Sequence, residues 1–166
     1  AESGLLTIDA GDGSDVINSN SQGVTVIAGS GNDYVNTTNG NVTLGAGLDT
    51  VVVGYSGNLV VEDFTAAEDS IDLNFVLNSL QSNYTQLPGW NGIANPFAGG
   101  ADAFLRFQQE AADTLIQVKH EVFDQLGTAS LQWVDVARLK NVQANLITND
   151  NLSPPWNPDG TGDFPN

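Results

Sequence analysis

Cysteine is absent from these 166 residues, which excludes disulfides and thiolate metal sites. Methionine is absent too, so the sequence is expected to start inside a longer precursor or to lack its initiator. The N-terminus lacks the basic-then-apolar pattern of a cleavable signal peptide, so any export address is expected elsewhere. No apolar run approaches the ~20 residues of a spanning helix, and membrane insertion is not expected. His120 is the single histidine, so a zinc site or a catalytic triad lacks its partners. It is expected on a strand with its ring at the surface. Basic residues are scarce: Arg106, Lys119, Arg138 and Lys140 face twenty acids, for a formal charge of −16.

The acids are unevenly spread. Residues 1–74 hold eleven acids and no base, while residues 75–166 hold nine acids and all four bases. A compact fold with that first half repels itself, so a cation is expected in the native state. The same field makes nucleic acid and anionic membrane surfaces poor partners. Basic proteins and divalent cations remain. With 40% hydrophobic residues the chain can bury a core, as one domain or two small ones sharing it.

What is present is a repeat. Gly11-Asp12-Gly13-Ser14-Asp15, Gly29-Ser30-Gly31-Asn32-Asp33 and Gly45-Ala46-Gly47-Leu48-Asp49 are all G-x-G-x-D, offset by 18 and then 16 residues. Each runs into a short β-branched stretch: Val16-Ile17, Tyr34-Val35 and Thr50-Val51-Val52. Between them lie polar turns without acids, 18–23, 37–41 and 55–58, each leading into another apolar strand, 24–27, 42–44 and 59–61. The unit is strand, polar turn, strand, Gly-Asp turn, roughly 17 residues per coil. Strands this short bury a face only by stacking as parallel ladders. A hairpin meander also uses N-G and G-N turns, but it does not explain why the acidic turn returns at every second bend. The fold class expected is therefore all-β, a parallel β-roll (right-handed β-solenoid) of short stacked strands.

The repeat decays after residue 60, where 62–73 replaces the glycine loop with a longer acidic one and an apolar strand, as a solenoid's capping coil would. Residues 74–100 are rich in proline and glycine and read as a long loop, with one helical turn over 77–80. Longer strands are expected at 103–108, 113–122 and 131–140, with a short helix near 145–149. The domain reading is a roll with acidic cap over 1–73, a β-rich capping and secretion region over 74–152, and an extended tail over 153–166.

Calcium takes six to eight oxygens at about 2.3–2.6 Å in irregular geometry. A G-x-G-x-D loop supplies them, because its glycines let carbonyls turn inward and its aspartate adds a carboxylate. Two loops stacked one coil apart sandwich one ion. The candidate ligands are Gly11, Gly13, Asp15, Gly29, Gly31, Asp33, Gly45, Gly47 and Asp49, with Asp33 shared between two sites. A third site between loop 45–49 and the cap takes Asp63, with Asp69 and Asp72 as weaker candidates. Glycine and aspartate are also plain turn formers, but three loops in register with aspartate at one place exceed what turns require.

Positions 10–18, 28–36 and 44–52 resemble the RTX (repeats-in-toxin) nonapeptide G-G-x-G-x-D-x-U-x, with Ala10, Ala28 and Leu44 in place of the first glycine. The stretch 59–73 is similar to the segment that closes the β-roll in C-terminal modules of this family, and 104–152 to the β-sandwich that often follows. The resemblance implies extracellular calcium binding and export by type I secretion machinery with an uncleaved C-terminal signal. Among adhesins, toxins, metalloproteases, lipases and alginate epimerases, it points to a non-enzymatic C-terminal module of a large secreted adhesin. The alternative is a polysaccharide-binding accessory module of a secreted enzyme, like the repeat modules of alginate epimerases.

Other signals carry less. Gly11-x-Gly13 lacks the third glycine of a dinucleotide loop, and the EF-hand spacing of acids is missing. Asp113 and Asp135 suggest a glycosidase-like carboxylate pair, but solvated strand ends explain them better. A stand-alone hydrolase has no visible nucleophile or acid–base constellation. Trp90, Trp133 and Trp156 with Phe97 and Tyr84 suggest a sugar-stacking platform; Trp133 is expected in the core, Trp90 and Trp156 in loops.

Overall fold

The computed structural model describes residues 6–55, 57–82, 87–89, 96–97 and 103–153. Tyr84, Trp90, Trp156 and the expected tail beyond Ser153 lie outside the described residues. Strands β1 (Thr7–Asp9), β3 (Val24–Ser30), β5 (Asn39–Ala46) and β7 (Asn58–Val61) stack in parallel in one sheet. Strands β2 (Val16–Ser19), β4 (Tyr34–Thr37), β6 (Thr50–Val52) and β8 (Ser70–Asp72) stack in parallel in the other. The chain alternates between the sheets, making a β-solenoid of about four turns.

Register follows from the apolar positions. Ile8, Val26, Val42 and Val61 align as one ladder, and Ile17, Val35, Val51 and Ile71 as the facing one. A slip of one residue would turn each set to solvent, so burial fixes the pairing. Where coils touch most closely, glycine is required. Gly40 has φ +110, and a Cβ on it would lie 2.0 Å from the Val24 carbonyl oxygen of the coil before.

The C-terminal region caps the roll by extending one sheet and closing the other. Strands β9 (Leu105–Glu110), β10 (Asp113–Phe123) and β11 (Ala129–Leu139) are antiparallel to one another. β11 also runs parallel to β7, pairing Leu139 with Val61, so the long sheet has the order β1-β3-β5-β7-β11-β10-β9. On the short sheet, the Ser153 N–H donates to the Ile71 carbonyl at 2.9 Å, and Leu152 bridges Ile71. An open solenoid end would present unpaired strands; here both sheets are covered at the fourth coil.

The helical turn expected over 77–80 is a nine-residue helix, α1 (Asn74–Ser82). It starts earlier because the Asp72 carboxylate, at the end of β8, accepts the Asn74 N–H at 2.9 Å in an Asx turn that satisfies a first-turn donor, and the Leu73 carbonyl accepts the Leu77 N–H at 2.9 Å as the first helical bond. Val76 and Leu80, one turn apart, are buried against the core. The short helix expected near 145–149 is two 3₁₀ turns, Ala144–Leu146 and Asn149–Asn151.

Gly40→Ala should lower stability by about 2–5 kcal/mol, since backbone strain adds to overpacking between two coils. Gly23→Ala, at φ +66 with open space around the added carbon, should cost about 1–2 kcal/mol. Urea unfolding of both variants in calcium-containing buffer measures the difference.

Candidate metal edge

The three repeated loops lie at one edge of the roll, and their aspartates form a row. The Asp15 N–H donates to Asp33 Oδ1 at 2.8 Å, and the Asp33 N–H to Asp49 Oδ1 at 2.8 Å. The Asp49 N–H then donates to Asp69 Oδ1 at 3.2 Å. Each carboxylate holds the coil before it by the backbone of the equivalent residue. A second row runs the opposite way just upstream: the Asn32 N–H donates to Ser14 Oγ, and the Leu48 N–H to Asn32 Oδ1. Leu48 offers no acceptor, so this row ends there. Glycines stack on glycines in the same loops. A Cβ on Gly29 would lie 1.8 Å from the Gly11 carbonyl oxygen, and one on Gly45 1.9 Å from that of Gly29. Gly31 and Gly47 sit as closely over Gly13 and Gly31.

Asp63 and Asp69 take different places from those the spacing suggests. Asp63 accepts the N–H groups of Leu44 and Gly45 at 2.7 and 2.9 Å, at the start of the loop that ends in Asp49 and so outside the aspartate row. Asp69 stands in the row itself and closes it, because its Oδ2 also accepts the Thr65 N–H at 2.7 Å. Asp72 accepts the Asn74 N–H just before α1 and also accepts from the Tyr34 hydroxyl. A local signal identifies Asp69: each row aspartate directly precedes its strand, Asp15-Val16-Ile17, Asp33-Tyr34-Val35, Asp49-Thr50-Val51 and Asp69-Ser70-Ile71. The longer acidic insertion of the cap hides that phase.

Burial makes this row costly. Asp33 is 2% exposed and Asp49 fully buried. Four buried side-chain oxygens lack a hydrogen-bond partner among the described residues, and three are Oδ2 of Asp15, Asp33 and Asp49. Buried carboxylate oxygens are ordinarily satisfied, since an unpartnered one forfeits its solvation. Burial pushes the Asp49 carboxyl above its usual range against the lowering effect of the Asp33 N–H, and the charges of Asp33, Asp63 and Glu68 add to the rise. Asp69 is pushed up to about 6, mainly by burial, despite two backbone donors, with Asp49 and Asp63 adding repulsion.

These donors fit a hard, oxygen-seeking cation. Among the described residues no three acidic or imidazole side chains converge on one point. A cation held here would lie between two neighbouring coils, taking the free Oδ2 atoms of Asp15 and Asp33 or of Asp33 and Asp49, with backbone carbonyls drawn from Gly11, Gly13, Gly29, Gly31, Gly45 and Gly47. The opposite edge differs: there Asn39, buried, accepts the Gly23 N–H through its amide oxygen at 2.7 Å, and no charge is involved.

The remaining candidates fall elsewhere. Asp113 accepts Arg138 at 2.9 Å and the Asn141 N–H at 2.9 Å. These two donors, the backbone one first, hold its carboxyl below the usual range. That state suits an ion pair, not a general acid. His120, expected at the surface, is half-buried; its Nδ1 meets the Tyr55 hydroxyl and its ring packs edge-on against Tyr55. Burial raises the Tyr55 pKa.

Trp133, expected in the core, lies half-exposed on the outer face of the long sheet. A β-bulge is the reason. Ile116 pairs with Ala137 but Gln117 with Asp135, so Val136 is the extra residue. Unbroken alternation would put Trp133 and Asp135 on the face of Ala137 and Leu139, which are buried. The bulge turns them outward. Phe97, named with it, is buried and stacked on Phe107.

No family model and no curated protein matches the chain. Two solved structures from Azotobacter vinelandii mannuronan C5-epimerase resemble it remotely. The AlgE6R2 subunit aligns over 92% of this chain and 93% of its own, at 13% identity and a TM-score of 0.45. The AlgE6R3 subunit aligns over 91% and 80%, at 16% identity and a TM-score of 0.38. The reading of the site rests on its own geometry. No helix among the described residues is long and apolar enough to cross a membrane.

In excess chelator, acid should partly substitute for metal. A carboxyl with its folded pKa raised binds more protons folded than unfolded, so its stability penalty is absent below the unfolded pKa and complete above the folded one. For Asp69 that window runs from the ordinary carboxyl value of 3.8 to about 6. The metal-free far-UV β signal should therefore rise as pH falls from about 7 to about 5. A signal that falls over this range counts against the buried-carboxylate account.

Proposed function

We propose that this chain is a non-enzymatic calcium-binding module whose roll folds when calcium fills its Gly-Asp loops outside the cell. In this reading, which for its wider context follows the sequence resemblance alone, it is the C-terminal RTX-type module of a large adhesin exported by type I secretion machinery. The observation that carries the calcium part is the row of buried, unpartnered Oδ2 atoms on Asp15, Asp33 and Asp49. The first 74 residues carry eleven acids and no base, so the metal-free roll is opposed by its own charge wherever calcium is scarce. Calcium at about 1 mM acting on sites of Kd about 10⁻⁴ M stabilises the fold by about 1.4 kcal/mol per site. Two or three such sites shift a folding equilibrium by about 10²–10³-fold. That is enough to switch a marginal chain from loose to folded at the point of exit.

Asp33 is the pivot of the row, since it receives Asp15 and donates to Asp49. Titration with calcium should build far-UV β signal cooperatively, and magnesium should produce little, because it resists the irregular, carbonyl-rich coordination offered here. Asp33→Asn keeps the hydrogen-bond acceptor but removes the charge, and should raise the calcium midpoint by about tenfold or more. A full β spectrum in excess chelator at neutral pH, or an unchanged midpoint in Asp33→Asn, would sink the proposal.

A further inference from the structure

Away from the metal edge, two of the four basic residues converge on one tryptophan. The Arg106 guanidinium carbon lies 4.2 Å from the Trp133 ring centroid. Lys119 Nζ lies 5.3 Å from the same ring and 5.6 Å from that of Phe104. Beside them, Arg106 Nε donates to Gln117 Oε1 at 2.7 Å, and Gln117 Nε2 donates to Asp135 Oδ1 at 2.6 Å. Arg106, Gln117 and Asp135 form one cross-strand row on β9, β10 and β11, and Lys119 and Trp133 are paired in the next.

The arrangement is unlike an ordinary surface ion pair. In a chain with twenty acids, Arg138 takes two carboxylates, Glu110 and Asp113. Arg106 takes none among the described residues: Gln117 stands between it and Asp135, relaying a hydrogen bond instead of a charge. Stacking on the indole and the Nε bond fix the guanidinium plane, so its two terminal nitrogens form a preset fork for a planar carboxylate. The bulge at Val136 brings Trp133 and Asp135 to this face, a device common where a side chain is re-aimed for binding.

We propose that this strip binds a sugar bearing a carboxylate, a uronic or sialic acid residue of an acidic glycan. The fork takes the carboxylate, Lys119 adds a second cation, Gln117 and Asp135 offer a donor and an acceptor for hydroxyls, and the exposed part of the Trp133 indole packs against the sugar's C–H groups. The net charge of −16 disfavours long-range capture of a dense polyanion, so recognition is short-range and stereochemical. An acidic peptide would use the fork but leave Asp135 facing a like charge. None of these residues belongs to the Gly-Asp edge, so the proposal stands independently of the calcium reading.

The test is calorimetry on the full chain at fixed calcium, with oligogalacturonate and sialyllactose as ligands and neutral dextran oligomers and poly-glutamate as comparisons. At least one carboxylated sugar should bind, while dextran and poly-glutamate do not. Arg106→Gln should weaken binding by about tenfold or more. Arg106→Lys should fail to rescue it, because the ammonium lacks the planar fork. Trp133→Phe should reduce affinity and abolish any ligand-induced change in tryptophan fluorescence. Far-UV spectra in calcium verify that each variant folds, and the charge-conserving Arg106→Lys keeps the test valid if Arg106→Gln does not. Affinity unchanged in both Arg106 variants would show that the glycan is held elsewhere, calcium bridging at the acidic edge included, and overturns the proposal. Equal binding of poly-glutamate, or no binding of either sugar by the folded chain, overturns it as well.

Discussion

A carboxylate that accepts the backbone N–H of the equivalent aspartate one coil away is the interaction on which this molecule turns. It sets the axial register of the coils at their acidic edge, in line with the apolar ladders inside. It also forces the carboxylates under cover, where Asp33 and Asp49 are almost wholly shielded from water. One oxygen of each is used and the other is left without a partner. The feature that aligns the coils is therefore also the feature that opposes them. A bound cation would resolve the conflict, because it would supply charge where the fold has removed solvent.

The C-terminal half matters to that balance through continuity. Leu139 extends the ladder of Val26, Val42 and Val61, and Leu152 with Ser153 closes Ile71 on the other sheet. The Asn151 amide donates to the carbonyls of Ala66 and Asp69 at 2.8 and 2.9 Å. It thereby pins the loop that carries the last carboxylate of the row. Distant sequence segments hold the terminal acidic coil in place, so the charged edge is formed against a finished surface and not a frayed one.

The solenoid was legible because its signal repeats. Three loops with aspartate at one position, each followed by a β-branched pair, specify coil length and the face that is buried. What the pattern concealed depends on single departures from it. The acidic insertion breaks the spacing and so favours Asp63 over Asp69, although the position of Asp69 just before β8 matches the other three aspartates. The start of α1 is hidden because Asp72, which takes the Asn74 N–H, reads as the end of a strand. Alternation puts Trp133 in the core because it assumes an unbroken ladder, and one extra residue, Val136, reverses the phase. Repetition reveals architecture, whereas insertions and bulges place the side chains that face outward.

Those departures sit where the chain changes from a charge-dominated structure to an ordinary one. All four bases follow residue 74, and two of them rest on Trp133, on strands that carry no part of the Gly-Asp loops. Mixing bases into the acidic loops would neutralise the roll permanently. Keeping them apart leaves its charge uncompensated by the chain itself and leaves a small cationic strip on the capping strands. The two surfaces are nevertheless ordered in effect. An empty acidic edge extends a negative field that repels any anion approaching the strip, and each calcium ion bound there would cancel two charges of that field. At physiological salt the field decays over about 8 Å, so on the proposed reading filling the edge would act on the strip chiefly by allowing the fold that carries it, and the fixed guanidinium would then meet a ligand at hydrogen-bonding distance.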